Sequence, residues 1–261
     1  YPELIRGVQS VALKHGYETL VYDCDDRPER ERAFVDAMIR RRVDGVILVP
    51  FHLRPEDFLD FHRGNIPVAV SIAEPFPAPG VDCVVIDEIN AVKKAMAHLI
   101  ARGHRRIAHI TGAMDTAPGR NRLRGYREAL LEAGLSYDES LVRYGNFRSD
   151  GVADLVASLF VHPADGGRPT AVFAANDVMA IAALNALLRA GWLVPEDVAV
   201  VGFDDIPAAQ TVYPALTTVA QDTQLLGRRL AELIMERLHS DEPYPERKIS
   251  YQFRFVARES A

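Results

Sequence analysis

The sequence predicts an α/β fold, and three observations predict it. Apolar runs of strand length alternate with stretches of helical period almost throughout. Gly16 and Gly103 stand where helical stretches end. Two such alternating sets follow one another, the first shorter than the second.

The elements follow in order. Over 3–15, Leu4, Ile5, Val8, Val11 and Ala12 share one helical face, and Gly16 closes the helix before a strand at Thr19, Leu20, Val21 and Tyr22. A helix over 28–41 leads to a strand at 45–49, and a helix over 55–62 leads to strands at 67–72 and 84–86. The second set opens with a helix over 90–101 and a strand over 107–110. It continues through a helix at 122–133, a strand at 141–144, a helix at 150–160 and a buried strand at 170–174. A helix over 177–189 and a strand over 198–203 complete it. A trailing helix at 222–238 and a strand at 248–256 can complete either sheet.

At 261 residues the chain has room for one large or two smaller domains. It is 48% hydrophobic and 25% charged, and no apolar stretch approaches the roughly 18 residues of a membrane span. With Cys24 and Cys83 alone there is no disulfide framework, which fits a reducing cytoplasm. A net charge of −6 argues against this stretch gripping a nucleic acid backbone by itself. No Gly/Ser/Pro-rich linker separates the two sets, and in facing open sheets the ligand cleft forms where the strand-end loops meet.

Signals of catalysis are weak. There is no Gly-x-Ser-x-Gly elbow, no Walker sequence and no Gly-x-Gly-x-x-Gly after a strand. His98, His104 and His109 do not share a helical face as metal ligands would, and Arg40, Arg41 and Arg42 read as a helix C-terminus facing its own dipole. Polar residues at strand ends say more. Asn176 and Asp177 close one buried strand, where either can be a helix cap. Asp204 and Asp205 close another, where carboxylates are expensive unless paired or wetted. Arg120, Arg122 and Arg124 lie near a helix start, where the dipole disfavours cations and a partner oxygen is expected.

Five segments, in this order, resemble the effector-binding core of LacI/GalR-type bacterial transcription regulators. They are His104-Arg105-Arg106-Ile107-Ala108, Arg122-Leu123-Arg124-Gly125-Tyr126, and Ala175-Asn176-Asp177-x-Met179-Ala180, then Asp197 through Asp205, and Leu216-Thr217-Thr218-Val219-x-Gln221-Asp222. The resemblance implies a periplasmic-binding-protein-like fold of two Rossmann-like lobes with three crossovers, near Asp87, Ala220-Gln221 and Phe253. The lobes would be 1–86 plus 222–252 and 87–221 plus 253–261.

It also implies a small effector, commonly a sugar, with no cofactor and no metal. Carried over residue by residue, Arg122 matches an arginine that hydrogen-bonds effector oxygens, and Asp204 a carboxylate that receives hydroxyls. Asn176 matches the asparagine of the next strand end, Phe147 an aromatic platform and Gln221 the hinge glutamine. Tyr1 and Leu4 match the first helix edge facing the cleft. Replacing Asp204 or Arg122 is expected to abolish binding and leave the fold intact. Where the family often ends its third strand in Ile-Asp-Arg, this chain has Ser71-Ile72-Ala73-Glu74, so that contact passes to Ser71 or Glu74. The family's helix-turn-helix, hinge helix and first strand precede the segment matching Tyr1, so the sequence reads as part of a longer polypeptide.

The resulting expectation is the effector-sensing domain of a cytoplasmic, homodimeric repressor that meets operator DNA through its headpiece, without a membrane. The effector closes the cleft and alters operator affinity. The alternative is an exported sugar-binding protein of a transport system. An enzyme would need a base in the cleft, for which Asp204 with His109 is the best pair.

Overall fold

The computed structural model describes residues 1–25, 27–73, 78–161, 167–240 and 245–261; Glu74 lies outside them. In chain order the elements are α1 (Pro2–Ala12), α2 (Pro28–Arg41), β1 (Val46–Leu48), α3 (Leu59–Arg63), β2 (Val68–Ile72), β3 (Val81–Ile86), α4 (Glu88–Ala101) and β4 (Ile107–Thr111). Then come α5 (Ala117–Glu132), β5 (Val142–Tyr144), α6 (Val152–Phe160), β6 (Ala171–Ala174), α7 (Asp177–Arg189), β7 (Ala199–Asp204) and α8 (Pro207–Thr211). The last are β8 (Thr217–Ala220), α9 (Thr223–Leu238), β9 (Lys248–Tyr251) and β10 (Arg254–Val256). These form two compact units, Tyr1–Asp87 with Asp222–Tyr251, and Glu88–Gln221 with Gln252–Ala261.

The first unit is a parallel sheet ordered β1-β2-β3-β9. Along β2 the period of two sends Val68 and Val70 to a layer with Phe34, Met38, Phe58 and Phe61, while Ala69 faces Leu4, Val8, Leu230 and Ile234. Helices α1 and α9 touch backbone to backbone. A Cβ at Gly7 would fall 2.1 Å from the Gln224 carbonyl oxygen, and one at Gly227 would fall 2.1 Å from that of Leu4. Beneath the sheet, Asp82 is fully buried and holds Arg237 at 2.7 Å and Arg247 at 2.8 Å.

The second unit is a six-stranded sheet ordered β10-β8-β7-β6-β4-β5, parallel except for β10. On one face Ala108, Ile110, Val172, Ala174 and Val200 pack with α6 and α7 residues such as Val156, Leu159 and Leu184. On the other face Tyr126 of α5 stacks on His109. The chain leaves β4 for β5 on one side and returns to β6 on the other. Between β4 and β6 lies a topological switch point, where ligands of open α/β sheets bind beyond the carboxyl ends.

Two expectations change. Residues 19–22 form no strand: Leu20 is 56% and Val21 53% exposed, and no strand is paired to the segment. Apolar alternation proposes a strand, but only a hydrogen-bonded neighbour makes one. The trailing strand is two strands: β9 runs parallel to β3 in one sheet, and β10 runs antiparallel to β8 in the other.

Candidate functional site

The site is built at the carboxyl ends of the second unit's strands. Helix α5 begins earlier than its apolar period suggests. Thr116 caps it by accepting from the Gly119 amide at 3.3 Å, and Pro118 occupies its first turn. That start puts Arg122 inside the helix, almost wholly buried, with its guanidinium 3.8 Å from the ring centre of Phe203 and 5.6 Å from that of Phe147. Arg122 Nε donates to Glu88 Oε1 at 2.9 Å, and Nη2 pairs with the same oxygen at 2.8 Å. Nη1 donates to the Ala175 carbonyl and, at 3.5 Å, to Asp204 Oδ1.

Phe147 takes a left-handed backbone, φ 66°, which carries its ring onto Gly112. A Cβ on Gly112 would come within 1.9 Å of the ring, so only glycine admits the platform. Asn176 fixes it from behind. Its Nδ2 donates to the Phe147 carbonyl at 2.9 Å, while its Oδ1 accepts from the Met179 amide at 2.9 Å and caps α7. Asn176 is therefore both a cap and a site residue.

Asp204 ends β7 with φ 115° and Asp205 follows with φ 58°, a pair of conformations that non-glycine residues rarely adopt. Neighbouring contacts hold the turn. Arg258 Nη2 grips Asp205 Oδ1 at 2.6 Å, and the buried Asp177 accepts from the Ile206 amide at 2.9 Å and from Thr218 Oγ1 at 2.6 Å. The Gln221 amide donates to the Asp204 carbonyl at 3.4 Å. Burial pushes the Asp204 carboxyl up to about 6; Arg122 opposes the rise and Glu88 adds to it. Burial likewise raises Asp177 to about 7 against its hydrogen bond from Thr218, with Asp204 reinforcing the rise.

Arg122, Phe147, Asn176, Asp204 and the backbone of Gln221 are thus brought together. Tyr1, Leu4 and Ser71 belong to the other unit. Tyr1 is exposed at the start of α1. Leu4 is not at a free helix edge: it is buried with Val8, Leu226 and Leu230, because the glycine contact draws α9 onto that face. The Ser71 hydroxyl is buried near the end of β2 and has no hydrogen-bond partner among the described residues. His109 makes no base for Asp204. It stacks between Tyr126 and Phe173, donates Nδ1–H to the Phe173 carbonyl at 2.9 Å, and is held down to about 4 by burial. Among the described residues no group of three or more His, Cys, Asp or Glu is placed to hold a metal.

Glu88, Phe203 and Gly112 escaped sequence reasoning. Glu88 carries a usable signal, since it follows the apolar strand Val84-Val85-Ile86 by two residues, as carboxylates follow β7.

Residues 96–261 match the family described as periplasmic binding protein-like domain. The transcriptional regulator CelR of Thermobifida fusca is 37% identical over 267 residues, covering 100% of this chain and 75% of that protein. A CelR–cellobiose complex superposes with a TM-score of 0.85 at 35% identity, over 100% of this chain and 79% of the other. A sugar-binding LacI-family regulator from Escherichia coli, solved with phosphate, superposes with a TM-score of 0.84 at 29% identity, over 100% and 92%. These relatives are regulators of transcription and not enzymes, and the chain belongs with them to the LacI family, whose periplasmic-binding-protein-like domain it carries.

Proposed function

We propose that this chain senses a neutral saccharide, and that the cluster of Arg122, Asp204, Phe147 and Asn176 contacts it. The observation that carries the reading is Asp204. A carboxylate with a third of its side-chain surface still exposed lies beside a guanidinium and an aromatic platform, the three groups that recognise a sugar's hydroxyls and its apolar C–H face. The CelR structure solved with cellobiose supports the class of ligand. Gln221, whose backbone amide donates to the Asp204 carbonyl, is a further contact in this proposal. Leu4 contributes through packing alone.

The cellular reading follows the relatives. Operator DNA is bound through a helix-turn-helix segment outside this sequence, in the cytoplasm, by a homodimer. Effector binding shifts operator affinity by a coupling of about 1 to 3 kcal/mol. No helix among the described residues is long and apolar enough to cross a membrane. The net charge of −6 is consistent with leaving the DNA backbone to another segment.

Calorimetric titration with cellobiose, glucose and ribose tests the reading. A saturable heat with one of them, weakened about ten- to a hundredfold in Asp204→Ala, is the expected result. Wild-type affinity in that variant overturns the assignment.

A further inference from the structure

We propose that Glu88 is a specificity-determining residue: by engaging Arg122 from beneath, it makes the site accept uncharged ligands and turn away anionic ones such as sugar phosphates and sugar acids. The inference deepens the effector reading above and rests on its placing Arg122 and Asp204 against the ligand. It begins with what a guanidinium ordinarily does. A buried arginine flanked by aromatic rings recruits phosphate or carboxylate, because two parallel N–H groups on one edge match two oxygens.

Here that edge is taken. The Nε–H and an Nη2–H, the pair that would form the fork, both converge on Glu88 Oε1 at 2.9 and 2.8 Å, and Glu88 is 1% exposed. Water cannot screen it, and no movement of a surface side chain frees the edge. The second Glu88 oxygen accepts from Asn121 at 3.4 Å, so the carboxylate is anchored at both ends. Glu88 is also the first residue of the 14-residue helix α4, where the dipole favours a negative charge. Its burial is thereby stabilised without any ligand.

On the other side of the guanidinium stands Asp204 at 3.5 Å. Two carboxylates against one guanidinium leave a formal balance of −1, and the acid open to a ligand is Asp204. A hydroxyl donates to Asp204 at no electrostatic cost. An incoming phosphate or carboxylate meets net repulsion at short range, in a site that water only partly screens. Glu88 touches no ligand in this scheme. It acts through the charge it places behind Arg122.

The test is a gain of binding, because damage to the fold produces only losses. Glu88→Gln keeps the shape and removes the charge. Glu88→Asn is the second variant, a shorter amide that removes the same charge. Wild type and both variants are titrated at low ionic strength with inorganic phosphate, glucose 6-phosphate and cellobiose, with a thermal melt to establish cooperative folding. The expected result is negligible phosphate binding by wild type. In either variant, affinity for phosphate and glucose 6-phosphate rises by at least about tenfold, the effect of one unit charge at roughly 8 Å in a partly screened site. No gain in a folded variant overturns the proposal and makes Glu88 a mere prop for Arg122. The wild-type protein supplies an arm of its own: phosphate binding within tenfold of the best neutral sugar also overturns it. If no saccharide binds wild type, the effector reading fails, and the phosphate titrations still decide the role of Glu88.

Discussion

Arg122 and Asp204 sit 3.5 Å apart, yet their removal has different consequences. Asp204→Ala deletes a half-open acceptor and costs the effector a charge-assisted hydrogen bond, roughly 1.5 to 3 kcal/mol, or about ten- to a hundredfold in affinity by calorimetry. Arg122→Ala does more than the sequence implied. It strands the buried Glu88 without its cation, and breaking a buried pair from one side costs about 3 to 5 kcal/mol of folding stability. Its urea midpoint is therefore expected to fall along with its binding, whereas that of Asp204→Ala holds. The raised Asp204 carboxyl adds a pH dependence. With its value near 6, effector affinity is steady above pH 7 and declines toward tenfold per unit as pH drops below 6, because the protonated acid loses its acceptor charge. An affinity unchanged between pH 7.5 and 5 would rule this out. Asn176 and Asp204 were legible because buried strands ending in polar groups need a reason, and Arg122 because a cation near a helix start calls for a partner oxygen. Glu88 was harder to find, since its partner lies 34 residues away, and Phe203 looked like ordinary core until the guanidinium was found lying on its face.

Among the elements, α1 and α9 depend on glycine at their closest approach. Gly227→Ala places a methyl against the Leu4 carbonyl, and the overpacking is expected to destabilise the first unit by about 1 to 3 kcal/mol in denaturant melts. The same substitution on an open helix face would be favourable, so a neutral or positive result refutes the close contact. In the same unit, burial alone would raise the Asp82 carboxyl, but hydrogen bonds from Arg237 and Arg247 prevail and hold it below the usual range. A depressed acid stabilises the fold above its ordinary value near 4, and the contribution is lost as pH falls below that. Asp82→Asn leaves two arginines facing a neutral amide and is expected to lower the midpoint at pH 7 more than at pH 3. The α/β class was readable from period alone, and so was the helical stretch of each set. Residues 19–22 were misread because pattern reports side-chain chemistry and not the presence of a neighbouring strand. The trailing strand was misread because one apolar run, 248–256, serves two sheets in opposite senses.

For the molecule as a whole, α7 carries one partly exposed apolar stripe of the second unit. Leu184 is fully buried, whereas Val178 and Leu188 are 38% and 37% exposed. They share a stripe with the half-buried Ile181 and Ala182 and with exposed Asn185, and such a stripe fits a second copy of the chain. Light scattering at micromolar concentration is expected to show a dimer that Val178→Glu with Leu188→Glu converts to monomer. A monomeric wild type would defeat the idea.

Neither unit is a continuous stretch of chain, and this sets the order of events during synthesis. The face of α1 carrying Leu4 and Val8 is finished first, but Leu226, Leu230 and Ile234, which cover it, are translated more than two hundred residues later. At roughly 5 to 20 residues per second, that face waits on the order of 10 to 45 seconds for its cover. Most of the second unit emerges in the interval and can collapse on its own sheet. The unit begun first therefore stays open until nearly all of the second has been made, and through that delay its nascent surface is open to chaperones.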